Sequence, residues 1–181
     1  METSRLIIER VAEEDFENLI KIDTCSAVRK YLGGPLDYNS AYVRAAILVK
    51  VSPDLFWVSR DHNRQFTGTI SLKKHHDSDE MEISYQLMPD AWGKGFATEA
   101  LEKVIKHVHE NLNIMTILAE TQAKNLRSVN LLRKLGFREI RKLERFGEPL
   151  YKIKISYPLG IGYISNFMRP IKKRLRFLIM T

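Results

Sequence analysis

The stretch Trp92-Gly93-Lys94-Gly95-Phe96-Ala97-Thr98, WGKGFAT over 92–98, decides how the rest of the chain is read. Two glycines stand one residue apart with a lysine between them, and a helix-forming run follows. A helix N-terminus carries unpaired N–H groups and partial positive charge, so it binds anions without help from side chains. Glycines just ahead of it let a pyrophosphate approach a backbone that a Cβ would obstruct. The same residues also suit a plain turn with no ligand. A dinucleotide fingerprint is a third reading, because Glu120 ends the next apolar run at about the 20-residue spacing that fingerprint asks for. Against it, Thr98 replaces the third glycine, and residues from Pro89 to Gly93 separate the loop from the strand before it. A phosphate loop of the GxxxxGK[ST] type is absent.

Working outward, LFWVSRD, FTGTISLKK and MEISYQLM are rich in β-branched and aromatic residues and are separated by the polar links HNRQ and HHDSDE. They predict three antiparallel strands joined by hairpins, the last over 81–88, where Pro89 ends the pairing. After the loop, Ala97, Ala100, Leu101, Val104, Ile105, Val108 and Leu112 form one apolar stripe of a helix over 96–112. A buried strand follows at 114–120, then a helix over LRSVNLLRKL ended by Gly136. FREIRKLERF and PLYKIKISY predict two final strands, turning at Gly147 and Pro149. Upstream, RLIIER predicts a first strand and EEDFENLIKIDTCSAVRKYL one or two short helices. Tyr38 to Val51 reads as a helix capped by Asn39 or Ser40 and closed by Pro53. The order describes an α/β arrangement built on one mixed sheet.

At 181 residues the chain suits a single domain with a substantial core. The N-terminus mixes acids and bases with no apolar core of a signal peptide, and no apolar run approaches the ~20 residues of a membrane span. A cytoplasmic protein is expected. Cys25 is the only cysteine, which excludes disulfides within the chain and gives thiol catalysis little support. The net charge of +7 is not spread evenly: residues 1–148 are balanced, and 149–181 hold seven basic residues and no acid. That pattern suits a body over 1–158 with its own function and a basic extension over 159–181, rather than a basic nucleic-acid-binding domain. Docking or fraying of the tail is favoured over binding of RNA or an anionic lipid surface.

A second constellation, Asn125, Ser128, Asn130, Gly136 and Phe137 in KNLRSVNLLRKLGF, separates the readings of the loop. Together with Gly93, Gly95 and Ala97 it resembles the GNAT N-acetyltransferase superfamily, whose pyrophosphate loop has the pattern Q/R-x-x-G-x-G/A. Trp92 stands where Gln or Arg is commonest. With RLIIER, RKYLGGPL, GTISL and the pairing of AWGKGFATEAL with N-x-x-S, this is similar to the branch of the RimJ and RimL ribosomal-protein N-terminal acetyltransferases. The resemblance covers residues 4 to 157. It implies a mixed, mostly antiparallel sheet of six to seven strands flanked by helices, with a splayed parallel strand pair that binds acetyl-CoA. The backbone at Leu87 and Met88 would pair with the pantetheine arm, and amides from Gly93, Lys94, Gly95, Phe96, Ala97 and Thr98 would hold the pyrophosphate. Asn125 would contact the pantetheine or simply cap its helix, and Asn130 is a further cofactor-binding candidate.

The implied reaction is attack of a neutral primary amine, a protein N-terminus or a small amine, on the thioester carbonyl. Many superfamily members carry a tyrosine seven residues after the Asn; here that position is Leu132. Ser128 is the candidate donor to the leaving thiolate, and Tyr85 the reserve. Glu144 is the candidate base, with Glu148 and Glu82 competing. No metal is expected, since His75 and His76 with Asp77 and Asp79 lack converging spacing. A homodimer is compatible with the reading. The alternative is a non-catalytic acetyl-CoA-binding module that reaches RNA, an acidic partner or a membrane surface through its basic tail.

Overall fold

The apolar stripe after the glycine loop finds its partner in a seven-stranded sheet in the computed structural model, which describes residues 1–51, 55–145 and 147–157. The strands are β1 (Leu6–Arg10), β2 (Phe56–Asp61), β3 (Phe66–Lys74), β4 (Met81–Leu87), β5 (Thr116–Gln122), β6 (Arg138–Arg145) and β7 (Glu148–Ser156). The helices are α1 (Phe16–Thr24), α2 (Ser26–Arg29), α3 (Tyr38–Val51), α4 (Phe96–Leu112) and α5 (Leu126–Lys134). Strand order is β1-β2-β3-β4-β5-β7-β6, and every neighbouring pair is antiparallel except β4–β5. This is the mixed, mostly antiparallel α/β sheet that the sequence implied.

Alternation along the strands divides the core between two faces. Ile83, Ile117, Ala119, Ile153 and Ile155 pack with Leu101, Val104, Ile105 and Val108 of α4 and Leu132 of α5. Phe56 and Val58 point the other way, onto Leu19, Ile20, Ala41 and Ala45 of α1 and α3. Burial of each such side chain is worth about 1.5–3 kcal/mol, so the α4 stripe alone anchors that helix. The stripe frays at its end, where Leu112 is exposed.

Several boundaries differ from expectation for local reasons. The strand expected at 114–120 begins at Thr116, because Asn113 takes a left-handed conformation at the end of α4 and Ile114 N–H turns back to Val108 O. The cap of α3 is neither Asn39 nor Ser40: Asp37 accepts from both the Ser40 N–H and the Ser40 hydroxyl. These bonds hold the Asp37 carboxyl below its ordinary pKa. Gly136 does end α5 in a left-handed conformation, with Phe137 N–H bonded to Leu132 O. Pro149 belongs to β7 rather than to the preceding turn, and its carbonyl accepts the Ala123 N–H. The expected stop at Pro53 and the basic extension over 159–181 lie outside the described residues. Among the described residues no helix is long and apolar enough to cross a membrane.

Candidate active site

The parallel pair β4–β5 is in register at only two positions, Met81 with Ile117 and Glu82 with Leu118. Beyond them β4 stays with β3 as far as Leu87 opposite Gly68, while β5 stays with β7 as far as Gln122 opposite Leu150. The sheet therefore splits into an opening flanked by Ile83–Leu87 and Ala119–Gln122. Gly68 helps to hold the β4 side of it. A Cβ there would meet the Gln86 carbonyl oxygen at 2.1 Å and Leu87 Cα at 2.9 Å.

The glycine loop stands at the wide end of this opening. Gly93 and Gly95 both have positive φ, 74° and 80°, and Gly95 starts α4 without a side-chain cap. The first helical bond there is Glu99 N–H to Gly95 O, so the amides of Phe96, Ala97 and Thr98 precede it and stay unspent among the described residues. A carboxylate in this first turn would repel a phosphate, but Glu99 is taken by Arg5 at 2.6 Å and by the Ser4 hydroxyl. Although partial burial raises its pKa, bonds from Thr3, Arg5 and Ser4 lower it overall. Arg5 also donates to the Lys94 carbonyl and covers the Phe96 ring, which fixes the loop against the start of the chain. This residue escaped the sequence reading because its partners lie about ninety positions away.

Of the backbone groups expected to receive a pantetheine arm, two are engaged. Met88 N–H bonds to Thr67 O, and the Leu87 carbonyl accepts the Trp92 indole N–H at 2.8 Å. Met88 therefore has no amide to offer, a correction to its expected role. Trp92 also carries the Arg127 guanidinium over its ring, 5.1 Å from the centroid, so the loop and α5 touch at the mouth of the opening.

On the α5 side, Asn125 Oδ1 accepts the Ser128 N–H and so caps the helix. Ser128 Oγ lies 2.8 Å from Tyr85 Oη, a hydrogen bond from α5 to β4 on the face that carries α4 and α5. Loss of water around the phenol pushes the Tyr85 pKa up to about 12, a rise that the Ser128 bond moderates. Leu132, the position of the absent tyrosine, is core and 1% exposed. Asn130 is exposed and sits two residues past Ser128, close to the opposite side of the helix, so the structure does not bring it to the opening.

The carboxylates divide between the two faces. Glu144 is opposite Pro149 in the ladder and shares the α5 face of β6 with Lys142, which covers Tyr151. It is exposed and has no ion-pair partner among the described residues. Glu148 is half-buried and paired with Lys124 at 2.9 Å. Glu82, Ser84 and Gln86 line the other face, and Gln86 Oε1 is buried without a hydrogen-bond partner among the described residues.

The histidine pair behaves differently from expectation. Asp79 stays apart and pairs with Lys74, the Asp77 carboxylate reaches only His76 of the two, at 3.2 Å, and the carboxylate that converges on His75 and His76 together is Glu120. Yet His75 Nδ1 accepts the Asp77 N–H, so the proton sits on Nε2 and is donated to Glu120 Oε1 at 3.0 Å. Arg145 faces the other Glu120 oxygen at 3.5 Å and bonds to Asp77, holding that carboxyl below its ordinary pKa. A guanidinium thus already faces this carboxylate. Glu120 belongs to this network and has no part in a ribose contact of the dinucleotide type.

Comparison with known proteins agrees with the geometry. Residues 5–138 match the family described as Acetyltransferase (GNAT) domain. The uncharacterized N-acetyltransferase YoaA of Bacillus subtilis (strain 168) is 26% identical over 186 residues, 96% of this chain and 97% of that protein. The uncharacterized N-acetyltransferase p20 of Bacillus licheniformis is 27% identical over 146 residues, 76% of this chain and 81% of that protein. Among solved structures, a GNAT-family acetyltransferase from Bacillus anthracis has a TM-score of 0.76 at 20% identity, covering 86% of this chain and 97% of that one. Spermidine N-acetyltransferase from Vibrio cholerae, in complex with CoA and spermine, has a TM-score of 0.74 at 17% identity over 85% and 96%. At such identities the structures speak for the fold, and the family match carries the assignment: the chain belongs to the GNAT acetyltransferase family and is an acyltransferase.

Proposed function

We propose that the protein transfers the acetyl group of acetyl-CoA to a primary amine by direct attack on the thioester. The observation that carries this reading is the opening between β4 and β5, which leads straight to the unspent amides at the start of α4. Amides from Gly93 to Thr98 hold the pyrophosphate, with Lys94 adding charge, and the pantetheine arm runs along β4 past Leu87. Asn125 keeps α5 seated beside that arm. Bound acetyl-CoA supplies an activated acyl carbon, so no protein nucleophile is needed.

The residues then have two tasks. Ser128 donates to the sulfur as it leaves. Glu144, free of an ion pair among the described residues, takes a proton from the amine nitrogen as it bonds to the acyl carbon, directly or through water. Glu148 is the weaker candidate because Lys124 already holds it. The acceptor is a protein N-terminus, as in the RimJ and RimL branch, or a small amine, as the name of the Vibrio cholerae neighbour suggests. The expected setting is the cytoplasm.

The test is thermal stabilisation by acetyl-CoA and CoA, followed by thiol release over a panel containing spermidine, amino acids, amino-sugars and peptides with free N-termini. A stabilised protein and thiol release with one acceptor class are expected. No stabilisation by either ligand at millimolar concentration would sink the proposal.

A further inference from the structure

Two hydroxyls carry two protons, and the Tyr85–Ser128 bond uses only one of them. Neither hydroxyl has another hydrogen-bond partner among the described residues, since the bond from Ser128 to Asn125 is made by the main chain. The remaining O–H is thus available to whatever fills the opening. Polarity decides which one it is. A phenol is the better donor and the poorer acceptor, so Tyr85 donates to Ser128 Oγ and the Ser128 proton is left over. A serine inside a helix often spends that proton on the carbonyl four residues back. Ser128 makes no such bond here.

Depth fits as well. Tyr85 lies three residues before Met88, or about 10 Å into the opening at ~3.3 Å per strand residue. It is also three residues beyond Glu82, where β4 and β5 close up again. An extended arm entering at the glycine loop therefore carries its far end toward this pair. We propose that Tyr85 and Ser128 act as a coupled donor to the thioester sulfur, with Ser128 touching the sulfur and Tyr85 orienting its hydroxyl. The inference rests on the acetyl-CoA reading and adds to it a positioning residue from β4.

The step balances without a proton from either residue. The amine nitrogen bonds to the acyl carbon, the C–S bond breaks, sulfur leaves with the electron pair, and the base removes the ammonium proton. The Tyr85 phenol, at about 12, stays protonated beside a thiolate, whose conjugate thiol titrates nearer ~8.5 in a free cysteine. The pair therefore stabilises the thiolate by hydrogen bonding, and water returns its proton later.

The measurement is titration of the thiol of bound CoA, followed by thiolate absorbance, in wild type, Tyr85→Phe, Ser128→Ala and Ser128→Thr. Wild type is expected to titrate about one unit below Ser128→Ala. Tyr85→Phe should fall between them, and Ser128→Thr should recover most of the shift. With the acceptor found above, kcat should fall roughly tenfold in Tyr85→Phe while KM for acetyl-CoA stays within about twofold. CoA that binds all four proteins with the same thiol titration overturns the coupled donor and leaves the acetyl-CoA reading intact. CoA that binds none of them overturns both.

Discussion

Helices α4 and α5 both begin at the edge of the same opening, yet they begin in different ways. At α4 two left-handed glycines deliver the chain to the helix with no side-chain cap, and three amides have no partner among the described residues. At α5 the Asn125 side chain folds back onto the Ser128 N–H and closes the terminus. The first is an incomplete structure that a ligand completes. The second is complete in itself, and its contribution to chemistry comes from the Ser128 side chain instead. The difference teaches that a helix start becomes an anion site through what its sequence withholds, a cap, as much as through what it supplies.

If that contrast is right, the largest effect comes from spoiling the open terminus. Gly95→Val forces a β-branched residue into a positive φ and brings its Cβ to 3.3 Å from the Arg5 guanidinium. Displacing even one or two amides from a phosphate costs about 3 kcal/mol, so calorimetry should show acetyl-CoA affinity falling about 100-fold. The strain of a positive φ also lowers stability by about 1–3 kcal/mol, so affinity is measured well below the Tm of the variant. Next comes Gly68→Ala, which attacks the β4 side of the opening through its clash with Gln86. Overpacking of this kind costs about 1–3 kcal/mol, read as a lower denaturation midpoint in urea.

The closed terminus should respond in the reverse sense. Asn125→Ala removes a cap worth about 1 kcal/mol, and Asn125→Asp should restore it. Affinity for acetyl-CoA that drops more than tenfold in Asn125→Ala at unchanged stability would give Asn125 a direct contact and break the contrast. The smallest effect concerns Arg5 and Glu99, which set the charge at the open terminus. Glu99 has a folded pKa below its ordinary 4.5, so its bonds stabilise the protein above that value and are lost as pH falls through the folded pKa. The gap in Tm between wild type and Arg5→Ala should therefore be largest near neutrality and narrow below about pH 4.

What could be seen from the sequence follows the reach of local physics. The α4 stripe, the three hairpin-linked strands, the left-handed Gly136 and the glycine loop are all written within a few residues of one another, and all are found. The cap of α3 lies two residues before Asn39 and three before Ser40, a miss that arises because Asp37, Asn39 and Ser40 are equally good capping types. Pairs made across the fold left no local trace. Arg5 with Glu99, His75 with Glu120, Trp92 with Arg127 and Tyr85 with Ser128 each join distant segments. Leu132 told only that a usual hydroxyl was missing; the Tyr85 hydroxyl that stands beside Ser128 comes from another strand, which no spacing rule reaches. Asn130 shows the opposite error, since a position that matches a pattern need not face the opening.

The most direct test of the central claim is calorimetric titration of acetyl-CoA into wild type, Gly95→Val and Asn125→Ala. One site per chain is expected, nearly abolished in Gly95→Val and retained within a few-fold in Asn125→Ala. Binding by Gly95→Val that equals wild type would show that the α4 terminus does not hold the nucleotide.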